Sequence, residues 1–402
     1  MYCIILKDNI TMKFIWTLLL ALVASSSLYA QSDKQFSKTA FSKEISFVRT
    51  DTAHGSQSTV IEYPNFLVLI ELPMIDEGGG RSTNLVQDIP KAEKFLTYLK
   101  KEYKNKPIKY VLSSHWHLHS LSGITPFFNQ GAILVAAKTN WEYSIKNGLF
   151  GNADTKTLEN QVMQVSRDTI ILNNTNFPIS VLFLDETYSN KPTRDYLFFY
   201  MPTNKCIHAS CMCAMNEIDF KQRPEFIYND RVTDLEKAIK ARNLDVDYLF
   251  KLTAEFDKDK NKYKLPVFNK SYFEEFKQRG TPRAAAEAKE VNIYKNYELS
   301  FLKLNKDTIL HSLINKKIPS QVINSLVYIL IKEKEFLKAL QWAQVLNLYQ
   351  IGEFDFMDTL GEAYFNAGDF VMAQNISNQL ALLNPKFPNQ FKAWEMAKQA
   401  GH

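Results

Sequence analysis

Between residues 44 and 75 apolar and polar positions alternate with a period of two, the pattern of half-buried strands. The stretch STVIEYPNFLVLIELP (58–73) predicts a hairpin turning at Pro64–Asn65. The period then lengthens. Ala92, Phe95, Leu99 and Tyr103 share one helical face, predicting a helix from Ile89 to Tyr103, and Pro107 closes that unit. IKYVLSS (108–114) reads as a short buried strand, SLSGITPFFNQ (120–130) as a helix and AILVAA (132–137) as a strand. DTIILN, ISVLFLD, DYLFFYMP and KCIHAS continue the series of strands. Strands interleaved with helices through residue 255 predict an α/β domain of layered sheets.

After residue 262 the pattern changes. DKDKNKYK (257–264) is a charged surface turn, and beyond Thr281 nearly every residue falls into helical periodicity. KEFLKALQWAQVL and GDFVMAQNISNQL align at an offset of 34 residues, matching Leu326 to Leu360, Phe336 to Phe370 and Ala339 to Ala373. The second copy resembles a tetratricopeptide repeat, with Leu360, Gly361, Tyr364, Gly368, Ala373 and Pro385 at that family's positions. The first copy has Val327 where the family has Gly. The expected division is an α/β domain over 31–262, a linker over 263–290 and an all-α helical repeat module over 291–402. Such a module implies a protein partner held by the repeats, or a cap packed on the first domain.

Composition narrows the class. A chain of 402 residues, 46% hydrophobic and 23% charged, has material for two folded units. Its net charge of +5 is spread out, so neither nucleic acid nor a membrane surface is indicated as partner. From Met12 the run MKFIWTLLLALVASSSLYAQSDK has the layout of a cleaved secretory signal ending at Ala30, too short for a comfortable membrane span. Residues 1–11 read as an upstream extension. The expectation is an exported protein, periplasmic or secreted, and not an integral membrane protein. Of four cysteines, Cys3 leaves with the leader. Cys206, Cys211 and Cys213 remain, an odd set that leaves a free thiol, an intermolecular bridge or a metal ligand.

The chemistry concentrates at YVLSSHWHLHSLSG (110–123), where His115, His117 and His119 alternate. This segment resembles the metallo-β-lactamase superfamily, whose signature is a strand followed by H-x-H-x-D-H. The resemblance spans about residues 44–255: the 58–73 hairpin, with Glu71 where an Asp is common, and TRDYLFFYMPTNKCIHASCM (193–212) against T-x-D-N-x-x-x-Y-x-P. It implies an αββα sandwich and a zinc site. A two-zinc site of that kind takes about six side chains. His115 and His117 match the first two ligands, and Cys211 matches a Cys ligand of one subclass. His119 stands at the Asp position, Ser120 at the next His, Pro192 at the His before Thr193, and Thr253 at the last His.

Two readings stand. His115, His117, His119 and Cys211 could hold one zinc, structural if all four bind and hydrolytic if a water keeps one position, with His119 as general base. An ester, thioester or amide would then be the substrate. Otherwise the α/β domain is a non-catalytic scaffold and the repeats bind a partner. Isolated His54, His208 and His311 read as surface or core residues, and no phosphate loop or G-x-S-x-G elbow competes.

Overall fold

A computed structural model describes residues 36–50, 56–73, 89–117, 120–146, 155–188, 191, 193–213, 230–254, 256–257, 262–383 and 390–399. The expected leader and extension, the GGGRS loop, His54, His119, Pro192 and Glu255 lie outside the described residues.

Strands β1 (Phe36–Ala40), β2 (Ile45–Thr50), β3 (Gln57–Glu62) and β4 (Leu67–Ile70) form an antiparallel meander, with the β3–β4 turn at the expected Pro64–Asn65. Helix α1 (Ile89–Glu102) leads to β5 (Ile108–Leu112), parallel to β4. Then come α2 (Thr125–Phe128), β6 (Ile133–Ala137), α3 (Lys138–Lys146), α4 (Thr155–Glu159) and β7 (Val162–Val165). The parallel strands complete a seven-stranded sheet in chain order, β1 to β7. A second sheet is built from β8 (Thr169–Ile171), β9 (Ile179–Leu184), β10 (Tyr196–Met201), β11 (Cys206–His208) and β12 (Tyr248–Phe250), with helix α5 (Asp230–Ala241) connecting β11 to β12. A small hairpin, β13 (Phe256–Asp257) and β14 (Lys262–Tyr263), precedes β15 (Val267–Asn269), and the sheet order is β15-β12-β11-β10-β9-β8.

Burial defines the layers. Phe47, Ile61, Val68, Leu112, Val135, Val181, Phe199 and Phe250 pack between the two sheets. On the outer face of the first sheet, Val60, Leu69 and Val111 meet Ala92, Phe95, Leu99 and Tyr103, the face foreseen for α1. Outside the second sheet, Phe198, Ile207 and Leu249 meet Val232, Leu235 and Phe273 from the helices. The order is helix, sheet, sheet, helix: the αββα sandwich implied by the resemblance. Strand β10 (YLFFYM) shows the cause, since it is buried on both faces and must be apolar at every position.

Two sequence expectations change. The helix foreseen over 120–130 is only Thr125–Phe128. Gly123 takes φ 67°, and a proline in second place fits only a helix's first turn, so the helix begins there. Leu121 instead bridges Leu72. The linker over 263–290 is also structured. β15 pairs with β12, and the next helix, α6 (Lys270–Lys295), starts at once, the Asn269 side chain accepting the Tyr272 N–H at 2.8 Å. Its polar composition reflects a sheet edge and an exposed helix, so the α/β unit runs on to Asn269 rather than ending at 262.

The rest is helical: α7 (Leu299–Leu304), α8 (Lys306–Asn315), α9 (Ser320–Lys332), α10 (Phe336–Tyr349), α11 (Phe354–Asn366), α12 (Phe370–Leu383) and α13 (Gln390–Gln399). Helices α9 and α11 start 354 − 320 = 34 residues apart, and α10 and α12 start 370 − 336 = 34 apart, so the repeat in the letters is a repeat in space. Ala339 and Ala373 are fully buried at matching places, as close helix packing requires. Val327 fills its own cluster, whereas Gly361 leaves room for Trp394 of α13. No helix among the described residues is long and apolar enough to cross a membrane.

Candidate functional site at the histidine loop

Several chain segments meet at one end of the sandwich because backbone hydrogen bonds stitch them there. Glu71 N–H, just past β4, donates to Leu112 O at 2.9 Å, and Leu197 N–H of β10 donates to Ser114 O at 3.0 Å. Ala209 N–H, past β11, donates to Phe250 O at 2.9 Å, and Gln57 N–H donates to Leu252 O at 3.2 Å. The sequence places its chemistry at these strand ends: His115 after β5, Cys211 after β11 and Thr253 after β12.

His115 is fully buried, and hydroxyls surround its ring. Ser114 Oγ lies 2.7 Å from Nδ1, and Ser120 Oγ lies 3.1 Å from Nδ1 and 3.4 Å from Nε2. The His117 ring stands edge-on at 4.7 Å, between His115 and the buried Trp116, whose indole packs on Tyr143 at 4.2 Å. Glu71, in the place of the family's Asp, sits in the left-handed region (φ 66°), a strain of about 1–2 kcal/mol. Its Oε1 accepts the Ser114 N–H at 3.2 Å.

Tyr196 joins the histidines to the cysteine. Its ring lies 5.1 Å from His115; its hydroxyl donates to Ala209 O at 3.1 Å and accepts the Cys211 N–H at 3.0 Å. Burial holds the phenol well above its usual range, with smaller pushes from Cys211 and Glu71. Burial also raises the Cys211 thiol, with Arg231 pulling the other way. Tyr196→Phe should cost about 1–3 kcal/mol in urea unfolding, because it strands a buried N–H and a carbonyl.

A zinc site gathers three or four N, O or S ligands at about 2.0–2.3 Å. Among the described residues no group of three or more His, Cys, Asp or Glu side chains is placed to hold an ion. His115 and His117 are brought together and Cys211 is tied to them through Tyr196, while His119 lies outside the described residues. Sequence reading marked Ser120 only as a lost ligand and passed over Ser114. It also passed over Tyr196, although Tyr at the Asn position of T-x-D-N was a visible departure.

Comparison with protein-family models and with curated protein sequences returns no match. Among solved structures, the chain is similar to a metallo-β-lactamase from Pontibacter korlensis at 17% identity and TM-score 0.42, covering 61% of this chain and 99% of that one. It is similar to the metallo-β-lactamase FIM-1 from Pseudomonas aeruginosa in its mono-zinc form at 14% identity and TM-score 0.40, covering 62% and 96%. A metallo-β-lactamase from Hirschia baltica gives 13% identity and TM-score 0.41, covering 61% and 97%. At TM-scores below 0.5 these are likenesses of outline only. The layers, registers and side-chain contacts of this chain carry the functional reading.

Proposed function

We propose that this chain is an exported, non-catalytic protein of metallo-β-lactamase-like fold, a scaffold for helical repeats that hold a protein partner. One observation carries it: the Ser114 and Ser120 hydroxyls lie within hydrogen-bonding distance of the His115 imidazole, with Ser120 at a position where the resemblance implies a further ligand. Ser120 replaces a ligand and acts as a lock on the ring. The matching helix pairs supply the partner surface, as tandem helical repeats do.

The alternative, a single-ion hydrolase at His115, His117, His119 and Cys211, is favoured by the convergence of His115, His117 and the Cys211 loop around Tyr196. Zinc titration calorimetry of the mature protein separates the two, with His117→Ala beside it. The scaffold reading expects no stoichiometric heat in either protein and unchanged stability in the variant, since His117 is only half-buried. One equivalent bound by the parent and lost in the variant, with turnover of an ester, thioester or amide, establishes the hydrolase.

A further inference from the structure

Away from the histidine loop, the buried polar atoms with no hydrogen-bond partner in any other described residue include Gln57 Nε2, Thr59 Oγ1 and both ring nitrogens of His208. Their side chains are 2%, 0% and 0% exposed. Stranded polar atoms of this kind are rare in folded proteins, and each left bare costs about 1–3 kcal/mol.

The registers bring them to one corner. In β3, Ile61 faces the layer between the sheets, so Thr59 and Gln57 face it too. In β11, Cys206 faces the same layer, and with it His208. Thr59 is the register partner of Phe47, whose ring lies 5.0 Å from Phe250, and Phe250 is the register partner of His208. Gln57 is bonded through its backbone to Leu252, and Ser56 bridges Thr253, so β3 closes on the end of β12 there. The three side chains therefore project from opposite sheets around the Phe250–Leu252 segment.

Their chemistry selects the occupant. Gln57 Nε2 donates, the Thr59 hydroxyl donates and accepts, and a neutral imidazole offers one donor and one acceptor. The set carries no formal charge, which disfavours an ion. Donors and acceptors are both present, as a molecule with two of each requires. We propose that this corner is a hydrated chamber, in which ordered water bridges His208 of the second sheet to Thr59 and Gln57 of the first. Water would bind the two sheets where the direct β3–β12 contacts end, three residues before Cys211.

A crystal structure of the full chain at a resolution that shows ordered solvent tests this. Support is a water within hydrogen-bonding distance of a His208 ring nitrogen and of Thr59 Oγ1 or Gln57 Nε2. A dry gap, or a direct bond from His208 to a protein group, overturns it. Urea midpoints give an independent reading that needs no crystal. With bridging water, Thr59→Val and His208→Phe each lower the midpoint, and the double variant falls little further than the larger single, because both remove one network. A His208→Phe midpoint at or above wild type overturns the chamber, since filling a dry void with an apolar ring is not penalised.

Discussion

Replacing Trp394 by alanine should cost the helical module about 3–5 kcal/mol, the range for emptying a buried tryptophan site. Trp394 is fully buried in α13, within a cluster formed by Phe365, Ala373, Ile376 and Leu380, and its Nε1–H donates to Asp358 at 2.8 Å. It fits only because residue 361 has no side chain. A Cβ there would stand 2.0 Å from the indole Cη2 and 2.5 Å from Cζ2. Gly361→Ala should therefore destabilise the parent by about 1–3 kcal/mol through overpacking. Where Trp394 is already alanine, most of that cost should vanish, because the closest contact left for the new Cβ is Ile376 Cγ2 at 3.0 Å. A double-mutant cycle in urea, followed by far-ultraviolet circular dichroism, reads this loss of the penalty. Equal effects of Gly361→Ala in both backgrounds would mean that α13 does not dock there.

The strand and helix periods in the letters carried most of the architecture. The face of α1, the β3–β4 hairpin and the 34-residue spacing of the helix pairs follow from local patterning, which a single sequence exposes. What stayed hidden depended on distant partners. Residues 263–290 looked like a linker because an edge strand and an exposed helix are polar, and only the pairing of Val267–Asn269 with β12 shows otherwise. Trp394 gave no sign that it would seat on Gly361, although that glycine matched the repeat pattern. At the histidine loop the metal-capable residue types were legible, but the contacts of Ser114, Ser120 and Tyr196 were not. A serine beside a histidine says nothing until the fold turns its hydroxyl toward the ring.

Stability should fall as the pH drops below 6.5, and His208 should cause a measurable part of the loss. Burial pushes this imidazole down from 6.5 to about 3, against an upward pull from its own backbone. Its ring neighbours in register, Phe199 and Phe250, carry no charge. Between those two values the unfolded chain takes a proton at this residue and the folded chain does not, so acid favours unfolding. The contribution is complete above 6.5 and is lost at about 1.4 kcal/mol per pH unit, reaching about 2 kcal/mol by pH 5. Carboxylates add their own losses lower down, so the window from 6.5 to 5 is the informative one. Urea unfolding across that window should show a shallower slope in His208→Asn than in the parent. Parallel slopes would mean that His208 protonates freely in the folded protein.

Anomalous diffraction at the zinc absorption edge, from crystals of the full chain grown with zinc, tests the central claim most directly. The scaffold account predicts no anomalous peak between His115, His117 and Cys211, with the Ser114 and Ser120 hydroxyls still on the His115 ring. A peak within ligand distance of His115, His117 and Cys211, with the serines displaced, would contradict it and make the site a metal centre.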